Sequence, residues 1–463
     1  MSRCSGAKGP FATSSRAAGR SMSKPRLPPP RSAIVAGFQL FDPTCDPAGR
    51  RPVEPQAMTE HVISTFEACS RTLRQNDLRQ ALYDEAALMM DRSLVNLHGT
   101  EHRVRRNVEA TVFRKNIFVE YERNVLPITL EETLSPFLAA GRGDLVDIGY
   151  RIMMNLTVDF TGIDRTERSP EETAELLRLL KEFSLAPALG QSPPEDRPAK
   201  RARIEAAMAQ FNQRFLYPSL ERRRALKARV DARELPADAL PRDVLMALVS
   251  GESTLGMTEH EFLQEGIFFT MAGAHTTIHS LTHAIHEILQ WIAAHPEDVA
   301  RLRDDPFFVQ QCVFESLRLH PSSPVAKRRT TCPFTLASGE EAQAGDTIVV
   351  NLRSANRETE IFGVDADQFN PHRVINGSAF AHGISMGVGA HACLGRNLAI
   401  GVEPRPGTDP DDHQFGTVPL IVRALLQSGV RADPDSPAEL DGGITRISWA
   451  TYPVLFDKTR AII

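Results

Sequence analysis

The densest chemistry in the chain lies in Met386-Gly387-Val388-Gly389-Ala390-His391-Ala392-Cys393-Leu394-Gly395-Arg396. Gly387, Gly389 and Gly395 let the backbone turn with positive φ and aim N–H groups at the cysteine sulfur. A helix beginning at Leu394 would favour negative charge at its N-terminus. His391 and Arg396 push the same way, so Cys393 is expected as a thiolate. Such a group serves as a nucleophile, a redox sensor or an axial ligand to heme iron. A second cluster, His275, His279, His283 and His286, is spaced four, four and three residues apart. Histidines at i and i+4 have metal-ligand spacing, the chemistry of a zinc hydrolase. Against it stand the lack of an H-E-x-x-H motif and the rise of the helix, which carries a third ligand at i+8 about 12 Å along the axis from the first. The plainer alternative is a row of partly buried helix-face residues.

The glycines six and four residues before Cys393, His391 two before it and Gly395 two after it resemble the heme-thiolate loop of the cytochrome P-450 family. Other segments resemble that family in the same order. Glu315-Ser316-Leu317-Arg318 has its E-x-x-R spacing, in which residues three apart share a helix face. Arg373, in Phe369-Asn370-Pro371-His372-Arg373, stands where the family places a clamping arginine. Ala272-Gly273-Ala274-His275-Thr276-Thr277 is similar to the oxygen-binding segment. Small Ala272 and Gly273 would let a helix lie against a flat macrocycle, Gly273 would loosen the helical ladder to admit water or dioxygen, and Thr276 falls on the proton-relay hydroxyl.

The resemblance implies heme b, its iron ligated by the Cys393 thiolate. Buried propionates need cationic or hydrogen-bonding partners, and His102 and Arg106 in H-x-x-x-R spacing, Arg328 and His391 occupy the matching places. It covers roughly residues 85–460 and implies a mainly α fold with a minor β-sheet, a triangular helical prism. The implied activity is a monooxygenase placing one oxygen atom of O2 into a small lipophilic substrate, with electrons from a separate ferredoxin- or flavodoxin-type partner. Peroxide-driven or non-oxygenase heme-thiolate chemistry is the nearer alternative; the zinc site on His275, His279 and His283 is the remote one.

These groups need elements to hold them. Thr258 and Glu261 have capping-box spacing and open a proline-free run to Ala294, roughly 54 Å of helix at about 1.5 Å per residue. Asp305 and Pro306 make an N-cap and N1 pair for a second helix ending near Pro321. Phe334-Thr335-Leu336 and Thr347-Ile348-Val349-Val350, separated by Gly339 and Gly345, read as paired strands. Thr451 to Phe456 is strand-like again.

With 463 residues, 42% hydrophobic and 24% charged, and a formal charge of −5, the composition excludes a disordered chain and a strongly basic nucleic-acid binder. No apolar run is long enough for a transmembrane segment. Six cysteines without paired short spacings fit a reducing, cytoplasmic compartment rather than a disulfide framework. Residues 1–41 carry seven basic and no acidic residues, and are expected as a disordered tail, with organellar import as the alternative reading. Residues 42–463 are expected as a single heme-thiolate domain, and the 70 residues after Cys393 leave no room for a fused reductase on that side.

Four departures from the family pattern stand out. Met386 replaces a usual Phe. His275 replaces an acidic residue before the relay threonine and is expected to titrate between about pH 5 and 8, giving turnover a pH dependence. Gly401, Pro404, Pro406, Gly407 and Pro410 interrupt the helix after Ala399, which is expected to resume only near Pro419 to Gln427. Little before His102 resembles the family's sheet-forming start. Arg396 with Arg103, Arg105 and Arg106 is expected to form a positive docking face for the electron donor.

Overall fold

The computed structural model describes residues 58–457, except 188, 190, 191, 376 and 443–445. The basic tail over 1–41 lies outside them. Helix makes up 56%, which confirms a mainly α fold. The helices used below are α1 (Phe66–Leu73), α2 (Gly99–Glu109), α3 (Leu145–Thr161), α4 (Glu259–Ala294), α5 (Pro306–Leu319), α6 (Arg396–Ile400) and α7 (Thr417–Gln427).

The 36-residue α4 starts where its capping box requires: the Glu261 amide donates to Thr258 Oγ1 and the Thr258 amide to Glu261 Oε2. Its middle is buried against α3, with Gly149 of α3 fitting beneath Ile278 and Leu281. Asp305 caps α5 by accepting from the amides of Phe307 and Phe308, and the helix stops at Leu319, two residues before Pro321. α3, α4, α5 and α7 share the main apolar core through Ile152, Ile278, Val313 and Leu425, all buried.

The strands are β1 (Glu60–Ile63), β2 (Leu78–Gln80), β3 (Arg142–Asp144), β4 (Val325–Thr330), β5 (Phe334–Thr335), β6 (Glu341–Ala342), β7 (Thr347–Asn351), β8 (Val430–Ala432), β9 (Glu439–Leu440), β10 (Trp449–Thr451) and β11 (Pro453–Phe456). The largest sheet runs β1-β7-β4-β2, and smaller ones are β3-β11-β8, β9-β10 and β5-β6. Two expectations are corrected here. Phe334–Thr335 does not pair with the strand at Thr347; it closes a tight hairpin with Glu341–Ala342, because Gly339 turns the chain at once. Gly345 makes a separate turn that sends β7 back along β4. The chain before His102 also contributes two strands, β1 parallel to β7 and β2 antiparallel to β4.

The helix after the cysteine is broken, as the glycines and prolines require: α6 has five residues, and α7 begins only at Thr417. Buried side chains take up the carbonyls and amides that the break exposes. Gln310 Nε2 donates to the carbonyls of Ile400, Val402 and Phe415 at 2.9 to 3.2 Å. Glu122 accepts from the amides of Phe415 and Gly416. Gln310 is fully buried, so a Gln310→Leu variant leaves these carbonyls dry and unpaired. Urea unfolding should show a loss of about 2 to 4 kcal/mol; a loss below about 0.5 kcal/mol would mean that the loop over 401–416 is held some other way.

Candidate active site

Cys393 is carried by a hairpin. Its amide donates to the Met386 carbonyl at 2.8 Å, and the Ala392 amide to Gly389 at 3.1 Å. Gly387 and Gly389 have φ of +65° and +78°, and a Cβ at 389 would come within 2.5 Å of the Leu73 carbonyl at the end of α1. Gly395 differs from expectation: its φ is negative, and a Cβ there would meet only Phe113 at 3.7 Å. The Phe113 ring in turn lies 5.9 Å from Phe269 of α4, joining the cysteine loop to the long helix.

The hairpin is fastened to a buried charge cluster. Glu315 binds Arg318 at 2.7 Å and Arg373 at 2.9 Å, and all three side chains are at most 5% exposed. Arg318 also donates to the carbonyls of Asn356 and Ala366. Asn356 hands the connection on, accepting from the Ile384 amide and donating to Ser385 Oγ, whose hydroxyl donates to Leu317. The family's E-x-x-R and later arginine are therefore one structural unit ending two residues before Gly387.

Cys393 is exposed, yet burial raises its thiol pKa. The Gly395 amide, Arg106 and Arg396 do lower the thiol pKa, but desolvation outweighs them, so the thiolate expected from the sequence is a thiol in the chain by itself. Ligation to a metal deprotonates such a thiol.

Four bases gather beside it. His102 and His391 have ring centroids 4.1 Å apart, and Arg106 Nη2 donates to the Ala392 carbonyl at 2.7 Å. Arg328 lies on the inner face of β4, whose alternate residues Ala326, Arg328 and Thr330 are buried, and donates to Gln80, its cross-strand neighbour on β2. Burial first, then mutual repulsion, pushes His391 down to about 3 and His102 to about 4. Desolvation brings Arg328 to about 10. Among the described residues no carboxylate lies within ion-pair distance of any of the four, and His102 Nε2 is buried without a partner. Glu109, the acid that acts on Arg106, is itself raised well above the usual carboxylate range by burial and by Glu265. A desolvated thiol and a cluster of bases lacking counter-ions fit heme, with its two propionates as the anions.

On α4, Thr276 is exposed and its Oγ1 donates to the Ala272 carbonyl at 2.8 Å. Gly273 does not loosen the helix, which is α-helical throughout. Its missing Cβ makes room for Thr157 of α3, which would otherwise be 2.7 Å away. His275 Nε2 lies 2.6 Å from Arg446 Nη2, a contact at sequence separation 171 that no local pattern announces. A guanidinium only donates, so Nε2 accepts and the proton sits on Nδ1. Burial and then Arg446 push His275 down to about 3, so the expected titration between pH 5 and 8 is overturned. His279 and His283 turn Nε2 to the carbonyls of His320 and Ile447 and leave each Nδ1 without a partner, and among the described residues no three His, Cys, Asp or Glu side chains come together in a way that could hold a metal ion. The positive docking face is also corrected. Arg105 is buried on Glu265, Arg106 is half-buried on the cysteine loop and Arg396 is half-buried, so of the four arginines only Arg103 is exposed.

The cytochrome P450 family model matches residues 75–401, and the chain belongs to that family. It is 30% identical over 209 residues to the mycinamicin VIII C21 methyl hydroxylase of Micromonospora griseorubida, covering 45% of this chain and 50% of that one; the match thus spans about half of that relative. It is 25% identical to the cyclooctat-9-en-7-ol 5-monooxygenase of Streptomyces melanosporofaciens, covering 69% and 71%. Among solved structures, CalO2 superposes with a TM-score of 0.65 at 21% identity, covering 86% of this chain and 90% of that one. P450BioI, in complex with an acyl carrier protein ligated to hexadec-9Z-enoic acid, superposes at 0.64 and 17%, covering 86% and 92%. These likenesses confirm the cytochrome P450 fold.

A folded pKa below the unfolded value of 6.5 makes the neutral His275 fully compatible with the fold above about pH 6.5 and costs stability progressively as pH falls toward 3. Nitrogen-15 histidine NMR at pH 6 should show His275 neutral and protonated on Nδ1. An imidazolium signal there would contradict this geometry.

Proposed function

We propose that the chain is a single-domain heme-thiolate monooxygenase, inserting one oxygen atom of O2 into a lipophilic organic substrate with electrons from a separate ferredoxin- or flavodoxin-type donor. The observation that carries this reading is the desolvated Cys393 beside four bases without counter-ions. The family membership and the relatives named as a hydroxylase and a monooxygenase support it.

Cys393 would hold the iron through sulfur, and His102, Arg106, Arg328 and His391 would hold the propionates. Heme bound there supplies dioxygen reduction, with thiolate donation favouring O–O cleavage. The cysteine hairpin is fixed from behind by Asn356 and the Glu315 cluster, so the sulfur keeps its place. The half-buried rings of Phe268, Phe269 and Phe113 exclude water and receive an apolar substrate, whereas Met271 is buried in the core. Thr276 Oγ1, with its proton on the Ala272 carbonyl, turns its lone pairs outward as acceptors for a water molecule. By giving up its own proton while accepting one from that water, the hydroxyl relays protons without carrying charge. His275 takes no part as an acid, being neutral and held by Arg446.

That last observation favours a second reading, turnover driven by peroxide, which needs no proton delivery from position 275. Heavy-oxygen labelling with a substrate found by its Soret shift separates them. The monooxygenase reading predicts one labelled atom from 18O2 in the product. It also predicts that Thr276→Ala lowers coupling of electrons to product at least about tenfold, while peroxide-driven turnover stays within about threefold. Equal loss on both routes, or unlabelled product, would favour the second reading.

A further inference from the structure

Buried arginines in this protein are neutralised by carboxylates. Arg105 rests on Glu265, Arg223 on Asp243, and Arg318 and Arg373 on Glu315, at 2.6 to 2.9 Å. Arg328 is the one buried arginine without such a partner among the described residues, and it is the one assigned to a propionate. Desolvating a guanidinium is costly unless an anion compensates.

Arg446, which is half-buried, likewise has no assigned anion. Arg446 lies against α4: its Nη1 donates to the Ser322 carbonyl at 2.7 Å and its Nη2 to His275 Nε2 at 2.6 Å. Both partners are neutral. Its Nε is buried with no partner, and no described carboxylate is within ion-pair distance; Asp441 acts on it only from farther off. Burial depresses its pKa as it does that of Arg328.

The surroundings supply further hydrogen-bonding groups. Tyr83 interacts electrostatically with both Arg446 and Arg328, and its hydroxyl is hydrogen-bonded to Ser323. Tyr150 feels Arg446 from α3. His275 is followed directly by the exposed Thr276. A cavity of about 40 Å³ beside Arg446, lined by His279, His320, Pro324 and Ile447, has room for water only.

We propose that Arg446, steadied by His275 and Ser322, anchors a carboxylate on the substrate, with Nε and an Nη proton as the paired donors. The substrate class is then a lipophilic carboxylic acid, held by its acid group near Thr276 with its apolar part toward the iron. This also accounts for a histidine in place of an acid at 275: an acidic side chain there would occupy the guanidinium, whereas a neutral imidazole orients it and leaves its charge available.

The inference rests on the heme-thiolate reading, and the test separates the two. The probes are N-imidazolyl alkanoates with chains of four to ten carbons, each compared with its methyl ester, titrated against the heme-loaded enzyme by the Soret shift. The imidazole ligates iron whatever the natural substrate is, so plain imidazole reports the heme site alone. At one or more chain lengths the acid should bind at least tenfold more tightly than its ester. Arg446→Gln should abolish that preference and Arg446→Lys retain part of it, with plain imidazole binding unchanged in both. Failure of plain imidazole to shift the Soret band would remove the heme reading beneath the proposal. If plain imidazole binds and the acids show no preference at any length, or Arg446→Gln leaves the preference intact, the anchor is wrong.

Discussion

Glu315 keeps a carboxylate where water does not reach, between the guanidiniums of Arg318 and Arg373. Breaking such a cluster by removing one member leaves a bare buried charge, at a cost of about 3 to 5 kcal/mol. Its reach is larger than that energy. Arg318 and Arg373 spend their remaining N–H groups on carbonyls between Asn356 and Gln368, so a segment with little helix or strand of its own takes a single conformation. Asn356 then fixes Ile384 and Ser385, and with them the hairpin that presents Cys393.

The same electrostatic logic organises the active site. A protein that pairs its buried arginines with acids leaves the buried Arg328 and the half-buried Arg446 without them, and the carboxyl that acts on Arg106, Glu109, is itself raised by burial. Arg106 and Arg328 act on the cysteine loop, and Arg446 lies on α4 at His275, next to Thr276. Positive charge without counter-ions is unfavourable in the chain alone and becomes favourable once anions arrive, so the fold is built to be completed by ligands.

The sequence made the site legible where chemistry is local and left it obscure where contacts are distant. The turns at Gly387 and Gly389, the capping box at Thr258 and the Glu315-to-Arg318 spacing depend on neighbours within a turn or two, and each has the predicted geometry, whereas Gly395 keeps a negative φ and the helix starts at Arg396. The partner of Phe334 was misread because two glycines six residues apart leave open which turn closes a hairpin. Gly273 looked like a weak point of the helix, but its role is set by Thr157 on another helix. The proline-rich break after Ile400 was visible, whereas its compensation by Gln310 and Glu122, 90 and 294 residues away from the carbonyl and amide they bind, was not. His275 was read by its ordinary pKa because nothing near it in the chain announces Arg446.

The central claim is that Cys393 is a sulfur ligand to heme iron despite a thiol that burial keeps protonated in the chain alone. The most direct measurement is the absorption spectrum of the reduced, carbon-monoxide-bound protein, expressed with a heme precursor and compared with Cys393→Ala. A strongly red-shifted Soret band that disappears in Cys393→Ala is the predicted result. A folded protein that takes up no heme, or one whose spectrum is unchanged by the substitution, would contradict it.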